Sequence, residues 1–364
     1  MSGSQDPKRS TTLNRRTLRR RRPLPIAFRL TALAASAALL AGCGGSDDAS
    51  PSSTSTATAA ATPTTLDLTL DFAPNAVHSG LYVAQQDGSL DAAGLDLKIR
   101  VPGSGADGAK LLAAGRTDLA IMDIHDVALA QEQGAELVAV GAIVQRPLAA
   151  VLASRGIDRP RDLEGERVGV TGLPSDEAAL DQIVRGDGGD PKKVRRVEIG
   201  FEAVASVLSG RVAAAIGFWN AEGVALQTRR PSTSVFRLDE FGAPVYPELL
   251  LMSTPETLDE HGDAIERLTG ALATAYQAVA TESDEQDAAT IEALTAGSGD
   301  KTIDPDTTAA QLRAVRPALL TEDGRALAID REQMRKWATW EAASGITKDP
   351  PDVDALIWSR APGR

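Results

Sequence analysis

The stretch from Leu66 to Ala84 constrains this chain more than any other. Leu66, Leu68, Leu70 and Phe72 alternate with Asp67, Thr69 and Asp71, the period of two that buries one face of a strand. Pro74-Asn75 is turn chemistry, and Val77 to Ala84 reads on as a helix. A strand that runs through a polar turn into a helix is the unit from which helix-covered sheets are made. Polar groups at the carboxyl end of such a strand stand where open α/β sheets bind ligands. With Val77 to Ala84 helical, His78 and Tyr82 lie four apart on one face. Either they meet a ligand together, or Tyr82 is core and His78 completes a capped turn.

The unit recurs. Strands are expected at Leu66 to Phe72, Leu95 to Val101, Asp118 to Met122 and Leu137 to Ile143, with helices near Gly80 to Gln86, Ala106 to Ala114 and Val127 to Gln133 between them. After a short strand at Leu148 to Ala153 a second set begins: strands Val168 to Thr171, Val194 to Glu198 and Val212 to Gly217, helices Asp176 to Arg185 and Ala203 to Leu208. A last strand, Glu248 to Ser253, precedes helices Pro255 to Thr281, Asp287 to Leu294, Thr307 to Leu312 and Arg331 to Ala343. Regular alternation predicts parallel sheets covered on both faces. Two α/β sets joined by two crossings leave a cleft between them, the default ligand site of such an architecture.

The amino terminus is of another kind. Residues 1 to 42 hold nine Lys or Arg against the single acid Asp6, and Leu30 to Gly42 is uncharged. That apolar run is shorter than the roughly 20 residues a membrane span needs but suits the core of an export signal. Gly44 to Thr65, rich in Ser, Thr, Ala and Pro, is too poor in large apolar residues to fold and reads as a tether. Removing the leader from the 38 basic and 50 acidic residues leaves 29 and 49, a net charge of −20. So acidic a body has little with which to neutralise phosphates, which excludes nucleic acid as a partner. Cys43 is the only Cys, so neither a disulfide nor a Cys-ligated cluster is available.

Several short motifs carry two readings each. Gly103 to Gly108 fits G-x-G-x-x-G before a helix, but it is not the first βα turn, so a glycine-rich helix start is expected rather than a dinucleotide site. Asp123-Ile124-His125-Asp126 and Leu173-Pro174-Ser175-Asp176-Glu177 both read as helix caps, with Ser175 the expected N-cap of the second. Phe218-Trp219-Asn220-Ala221-Glu222 supplies an aromatic face, an amide and a carboxylate after a strand of small residues. It is either a ligand contact or a helix start with Asn220 as N-cap. The three His residues, His78, His125 and His261, have no metal-binding spacing, so no metal is expected. No nucleophile motif stands out.

Asp71 to Ala84, with Asp87-Gly88 and Gly94-Leu95-Asp96, resembles the opening of the periplasmic-type binding proteins related to the fungal enzyme that makes the pyrimidine half of thiamine. Trp219-Asn220-Ala221-Glu222 and Gly242-Ala243-Pro244-Val245-Tyr246-Pro247-Glu248 resemble further segments of that family, and Ile157 to Gly165 resembles its crossing between lobes. Leu40-Ala41-Gly42-Cys43 is similar to the lipobox of bacterial lipoproteins. The resemblance implies an α/β, two-lobed periplasmic-binding-protein (type II) fold with two hinge crossovers. Its parts are a signal peptide over 1–42, a tether over 43–64, lobe one over 65–156 and 245–350, and lobe two over 157–244.

It implies a solute-binding component of an ABC importer, exported and lipid-anchored through Cys43 to the outer face of the cytoplasmic membrane, with a permease as partner and no cofactor. An aminopyrimidine-like thiamine precursor would be held by Asn75, His78, Tyr82, Trp219, Asn220, Glu222 and Tyr246, with Tyr246 preferred over Glu248. Sulfonate, nitrate or taurine binding is the first alternative, and a pyrimidine synthase-like enzyme the second. Against the enzyme, an ungapped alignment of Gly115-Arg116-Thr117-Asp118 on its Gly-Lys-x-Asp puts Met122 where it has its cofactor-binding Lys and Asp126 where it has its reacting His. A Schiff base cannot form on Met.

Overall fold

A computed structural model describes residues 62–102 and 108–363. The export signal over 1–42, the lipidation site Cys43, most of the tether and Gly103 to Asp107 of the glycine-rich turn lie outside the described residues.

The first lobe is built on a five-stranded sheet. Its strands are β1 (Thr64–Thr69), β2 (Leu95–Arg100), β3 (Leu119–Asp123) and β4 (Val138–Val144), joined late in the chain by a strand at Leu249–Ser253. Between them lie helices α1 (Ser79–Gln86), α2 (Ser89–Ala92), α3 (Gly108–Ala113) and α4 (Ile124–Glu132). The second sheet takes β5 (Ala149–Ala153), β6 (Arg167–Val170), β7 (Arg195–Glu198), β8 (Ala214–Phe218) and β9 (Ser234–Arg237). Its helices are α5 (Pro174–Gly186), α6 (Ala203–Leu208) and α7 (Val224–Arg229). The chain then returns to the first sheet as β10 (Leu249–Ser253) and ends in α8 (Pro255–Thr281), α9 (Asp287–Ser298), α10 (Pro305–Val315), α11 (Arg331–Ala343) and α12 (Val353–Leu356).

The strand orders are β2-β1-β3-β10-β4 and β7-β6-β8-β5-β9. Neither sheet is purely parallel, contrary to the expectation from the alternation. β10 runs antiparallel to β3 and β4, and β5 antiparallel to β8 and β9. The reason is topological. The chain passes to the second sheet between β4 and β5, ahead of the Ile157 to Gly165 segment that resembles the family's crossing; β5 and β10 are thus the strands that follow the two crossings, and each enters its sheet at the end where its neighbours leave. β9 and α7 were not anticipated, because four-residue and six-residue elements carry too little periodicity to read.

The inserted strands are also the driest. Every residue of β10 and of β5 is buried, the continuous apolar run of a strand covered on both faces. Each such Leu contributes about 1.5–3 kcal/mol of burial. Helix α8 starts cleanly because Thr254 caps Thr257 N at 3.2 Å and Pro255 occupies the first helical position. Gly80 lets α1 approach α8: a Cβ there would stand 2.6 Å from the Tyr276 ring. Tyr276 in turn donates its hydroxyl to Val77 O at 2.9 Å, which fixes the turn leading out of β1. The outer edge of β4 is covered by isolated bridges to Leu327 and Ile357, so it is not left open for pairing.

Candidate functional site between the lobes

Four large apolar side chains stand out as exposed among the described residues: Phe72, Val101, Leu173 and Phe201. Each lies just past the carboxyl end of a strand, β1, β2, β6 and β7 respectively. Two therefore come from each lobe. The Phe72 and Phe201 rings meet across the cleft, their centroids 6.3 Å apart and tilted by 47°. Exposed aromatic surface at strand ends is the signature of a binding face rather than of core.

Carboxylates stand at strand ends as well. Asp123 caps α4, accepting the His125 N–H at 2.8 Å. Asp126, in the first turn, is pushed up to about 7 by burial, by Asp123 and by Asp71, against the opposing pull of His125. From the second lobe, Asp176 accepts Thr171 N–H at 2.7 Å; burial raises its pKa, and Asp123 across the cleft adds to this. Burial likewise raises Glu222, which accepts Phe218 N–H at 3.1 Å and feels the charge of Asp176. Acids of both lobes thus share one region. Ser175 is not the N-cap expected: α5 starts at Pro174, and Asp176 reaches back to Thr171 instead.

The turn after β1 is tightly organised. Asn75 accepts Val77 N–H at 3.1 Å and donates Nδ2–H to Ala73 O at 3.0 Å. His78 is fully buried. Its Nδ1 accepts Asn75 N–H at 3.1 Å, so the ring proton sits on Nε2 and is donated to Asp71 Oδ1 at 2.8 Å. Tyr82 packs inward, where a Cβ on Gly297 would lie 2.5 Å from its ring, and burial lifts its hydroxyl to about 12.

Trp219, Asn220 and Glu222 lie in one π turn, Trp219–Gly223, capped by Phe218 rather than by Asn220. Such turns mark functional sites in many proteins. Trp219 Nε1–H donates to Pro147 O at 2.9 Å, and the Arg237 guanidinium covers its ring at 4.1 Å. Asn220 is buried, and its Oδ1 has no hydrogen-bond partner among the described residues. Helix α10 packs against both the 76–78 turn and this π turn, so the two expected ligand segments are held on one support.

The hinge lies behind the cleft. Glu248 accepts Leu148 N–H at 2.8 Å and donates its own N–H to Val144 O at 2.9 Å, tying the two crossings together. Burial first, and then Asp123, raise the Glu248 carboxyl far above its usual range. Tyr246 is fully buried, its hydroxyl 3.1 Å from His125 Nε2, while His125 Nδ1 lies 2.7 Å from Glu341. Burial alone would lower the His125 pKa, but Glu341 together with Asp123 and Glu248 outweighs it and raises the imidazole to about 10. His125 is therefore an imidazolium that donates from both nitrogens. The Asp123, His125 and Glu248 donor atoms lie within 4.8 Å of one another, yet both imidazole nitrogens are already hydrogen-bonded. The trio offers no ring lone pair to a metal.

Phe72, Phe201, Asp126 and Asp176 are the cleft residues that motif reading passed over or assigned to capping. The available signal was position: each directly follows a strand or opens the helix after one.

Two mixed α/β sheets exchanging strands at two hinge crossings, with a cleft at their strand ends, define a periplasmic-type solute-binding fold. Sulfonate-binding SsuA of Escherichia coli superposes with TM-score 0.62 at 16% identity, over 82% of this chain and 99% of that one. Nitrate-binding NrtA of Synechocystis PCC 6803 gives 0.62 at 12% identity, over 81% and 86%. The "NMT1/THI5 like" family model matches residues 75–286, and the chain belongs to that family. The formylaminopyrimidine-binding protein of Halalkalibacterium halodurans is 36% identical over 224 residues, 61% of this chain and 68% of that protein. A putative thiamine biosynthesis protein of Haemophilus influenzae is 29% identical over 198 residues, 54% of this chain and 63% of that protein. The 36% identity to a protein named as a binding protein agrees with the expectation of a binder rather than an enzyme.

Proposed function

We propose that this protein is the extracytoplasmic solute-binding component of an ABC importer and that it captures a thiamine-precursor pyrimidine between its lobes. The observation that carries the reading is the cleft's chemistry, aromatic rims and carboxylates from both lobes, in a member of this family. A flat aminopyrimidine stacks on Phe72 and Phe201 and donates its N–H groups to Glu222 and to the unpartnered Asn220 Oδ1. Asn75 and His78 shape the lobe-one wall, while Tyr82, Trp219 and Tyr246 support it from behind. The lipid on Cys43 anchors the protein to the outer face of the cytoplasmic membrane, where it delivers its ligand to the permease. A two- or three-chain modification is needed, since one acyl chain holds only marginally.

Sulfonate and nitrate binding, as in the proteins of similar fold, meets an electrostatic obstacle. An anion about 4 Å from one ionised carboxylate pays roughly 4 kcal/mol at an effective dielectric of about 20. The pyridoxal-dependent chemistry that the resemblance attaches to the synthases does not fit either: in the ungapped alignment Met122, which is buried on β3, takes the place of the Schiff-base Lys. Calorimetric titration with aminopyrimidines beside alkanesulfonates tests the reading. Pyrimidine binding without sulfonate binding is expected; a sulfonate bound tightly while every pyrimidine is ignored would overturn it.

A further inference from the structure

We propose that the carboxylates of the two lobes act as an electrostatic gate, so that the cleft closes on its ligand as a protonated cation and not as the neutral base. The inference rests on the pyrimidine-capture reading and specifies which form of the ligand is held. Its basis is placement. Asp126 lies in the first turn of α4 and Asp176 in the first turn of α5, so an acid-bearing helix start follows a strand in each lobe, β3 in one and β6 in the other, and the Phe72–Phe201 contact brings strand ends of the two lobes together. Asp123 acts on Asp176 across the gap, and Asp176 acts on Glu222.

Among the described residues, the other charged groups named around them are paired, buried in the hinge or turned away. Asp71 beyond β1 is held by the His78 ring, Glu177 beside Asp176 is ion-paired with Arg196, Arg237 over the Trp219 ring is paired with Asp239, and Glu248 lies in the hinge. His125 on α4 is cationic but is turned to Glu341 and Tyr246. Like charges on facing lobes resist approach, and burial strengthens that resistance by lowering the local dielectric. A cation between them reverses the sign of each of these interactions.

A second, independent feature points the same way. Asn220, 2% exposed and in the same π turn as Glu222, carries an Oδ1 with no hydrogen-bond partner among the described residues. A buried acceptor left unpaired is costly, and only a hydrogen-bond donor relieves it. A pyrimidine protonated on its ring offers a ring N–H besides the exocyclic amine. The proton carried by the ring lets Asp176 and Glu222 stay ionised as the lobes meet.

The test uses 4-amino-5-hydroxymethyl-2-methylpyrimidine as probe, because such rings change their ultraviolet absorption on protonation. At about pH 8 the free base is mostly neutral. The expected result is a bound spectrum of the cation, uptake of about one proton per ligand in calorimetry run in buffers of different ionisation enthalpy, and affinity falling about tenfold per pH unit on the alkaline side. Asp176→Asn and Glu222→Gln should each weaken the probe about tenfold or more near neutrality, and shift the free protein's small-angle scattering towards the closed form. A bound spectrum of the neutral base with no proton uptake would overturn the gate while leaving pyrimidine capture standing. No binding of the probe or any related aminopyrimidine at any pH would overturn both.

Discussion

Replacing Glu341 by Gln should destabilise the protein in a pH-dependent way, and the sign follows from His125. The imidazole titrates at about 10 in the fold against 6.5 ordinarily, so the folded state holds the proton more tightly than the unfolded chain. Stability from this pair is complete below about pH 6.5 and is lost as pH rises towards about 10. At 1.36 kcal/mol per unit the ceiling is roughly 5 kcal/mol, and removing one partner of a buried ion pair costs about 3–5 kcal/mol. Glu341→Gln should therefore lower unfolding free energy by about 3–5 kcal/mol near pH 6 and by much less near pH 10. Urea unfolding across this range measures it, with Trp340 as a local reporter because its ring centroid lies 5.9 Å from that of His125. Wild-type stability that stays flat between pH 6.5 and 10, or a variant that keeps the wild-type slope, would refute the reasoning.

Other expectations are local. Gly297→Ala forces a Cβ to within 2.5 Å of the Tyr82 ring and should cost about 1–3 kcal/mol; an unchanged melting temperature would show that Tyr82 is not packed as described. Asp126 is raised from 3.8 to about 7, so the fold pays for its ionisation as pH climbs through that window. Asp126→Asn should then stabilise the unliganded protein by about 1–3 kcal/mol at pH 8 and by almost nothing near pH 4, which thermal melts at the two pH values distinguish. Phe201, 65% exposed, contributes little to folding. Phe201→Ala should leave unfolding within about 0.5 kcal/mol but weaken pyrimidine binding roughly five- to tenfold through the lost stack; unchanged affinity counts against that stack. Cys43→Ser should move the protein from the membrane fraction to the soluble one, and retention in the membrane would exclude the lipid anchor.

The strand–turn–helix unit at 66–84 was legible because period-two alternation and Pro74-Asn75 are local signals, read within a few residues. The antiparallel placement of β5 and β10 was not, since their composition is that of any buried strand and direction is set by where the chain comes from. Nor could spacing join His125 to Glu341, which meet only because α11 returns across α4 late in the chain. The aromatics divide for a physical reason. Tyr82, Trp219 and Tyr246 sit in segments that look like ligand contacts, yet each is surrounded: Gly297 admits Tyr82, Pro147 takes the Trp219 N–H, and His125 donates to the Tyr246 hydroxyl. A Tyr or Trp tip can be satisfied by a distant backbone or side chain, so a buried position near the hinge recruits it. Phe has no such tip to satisfy. Phe72 and Phe201, left exposed at strand ends, meet each other across the cleft instead. Under the proposed function, shape recognition in the cleft would fall to the two Phe rings and charge recognition to Asp126, Asp176 and Glu222. The polar aromatics instead keep the hinge and the first wall in register, so exchanging Tyr246 for Phe should affect the stiffness of closure more than the choice of ligand.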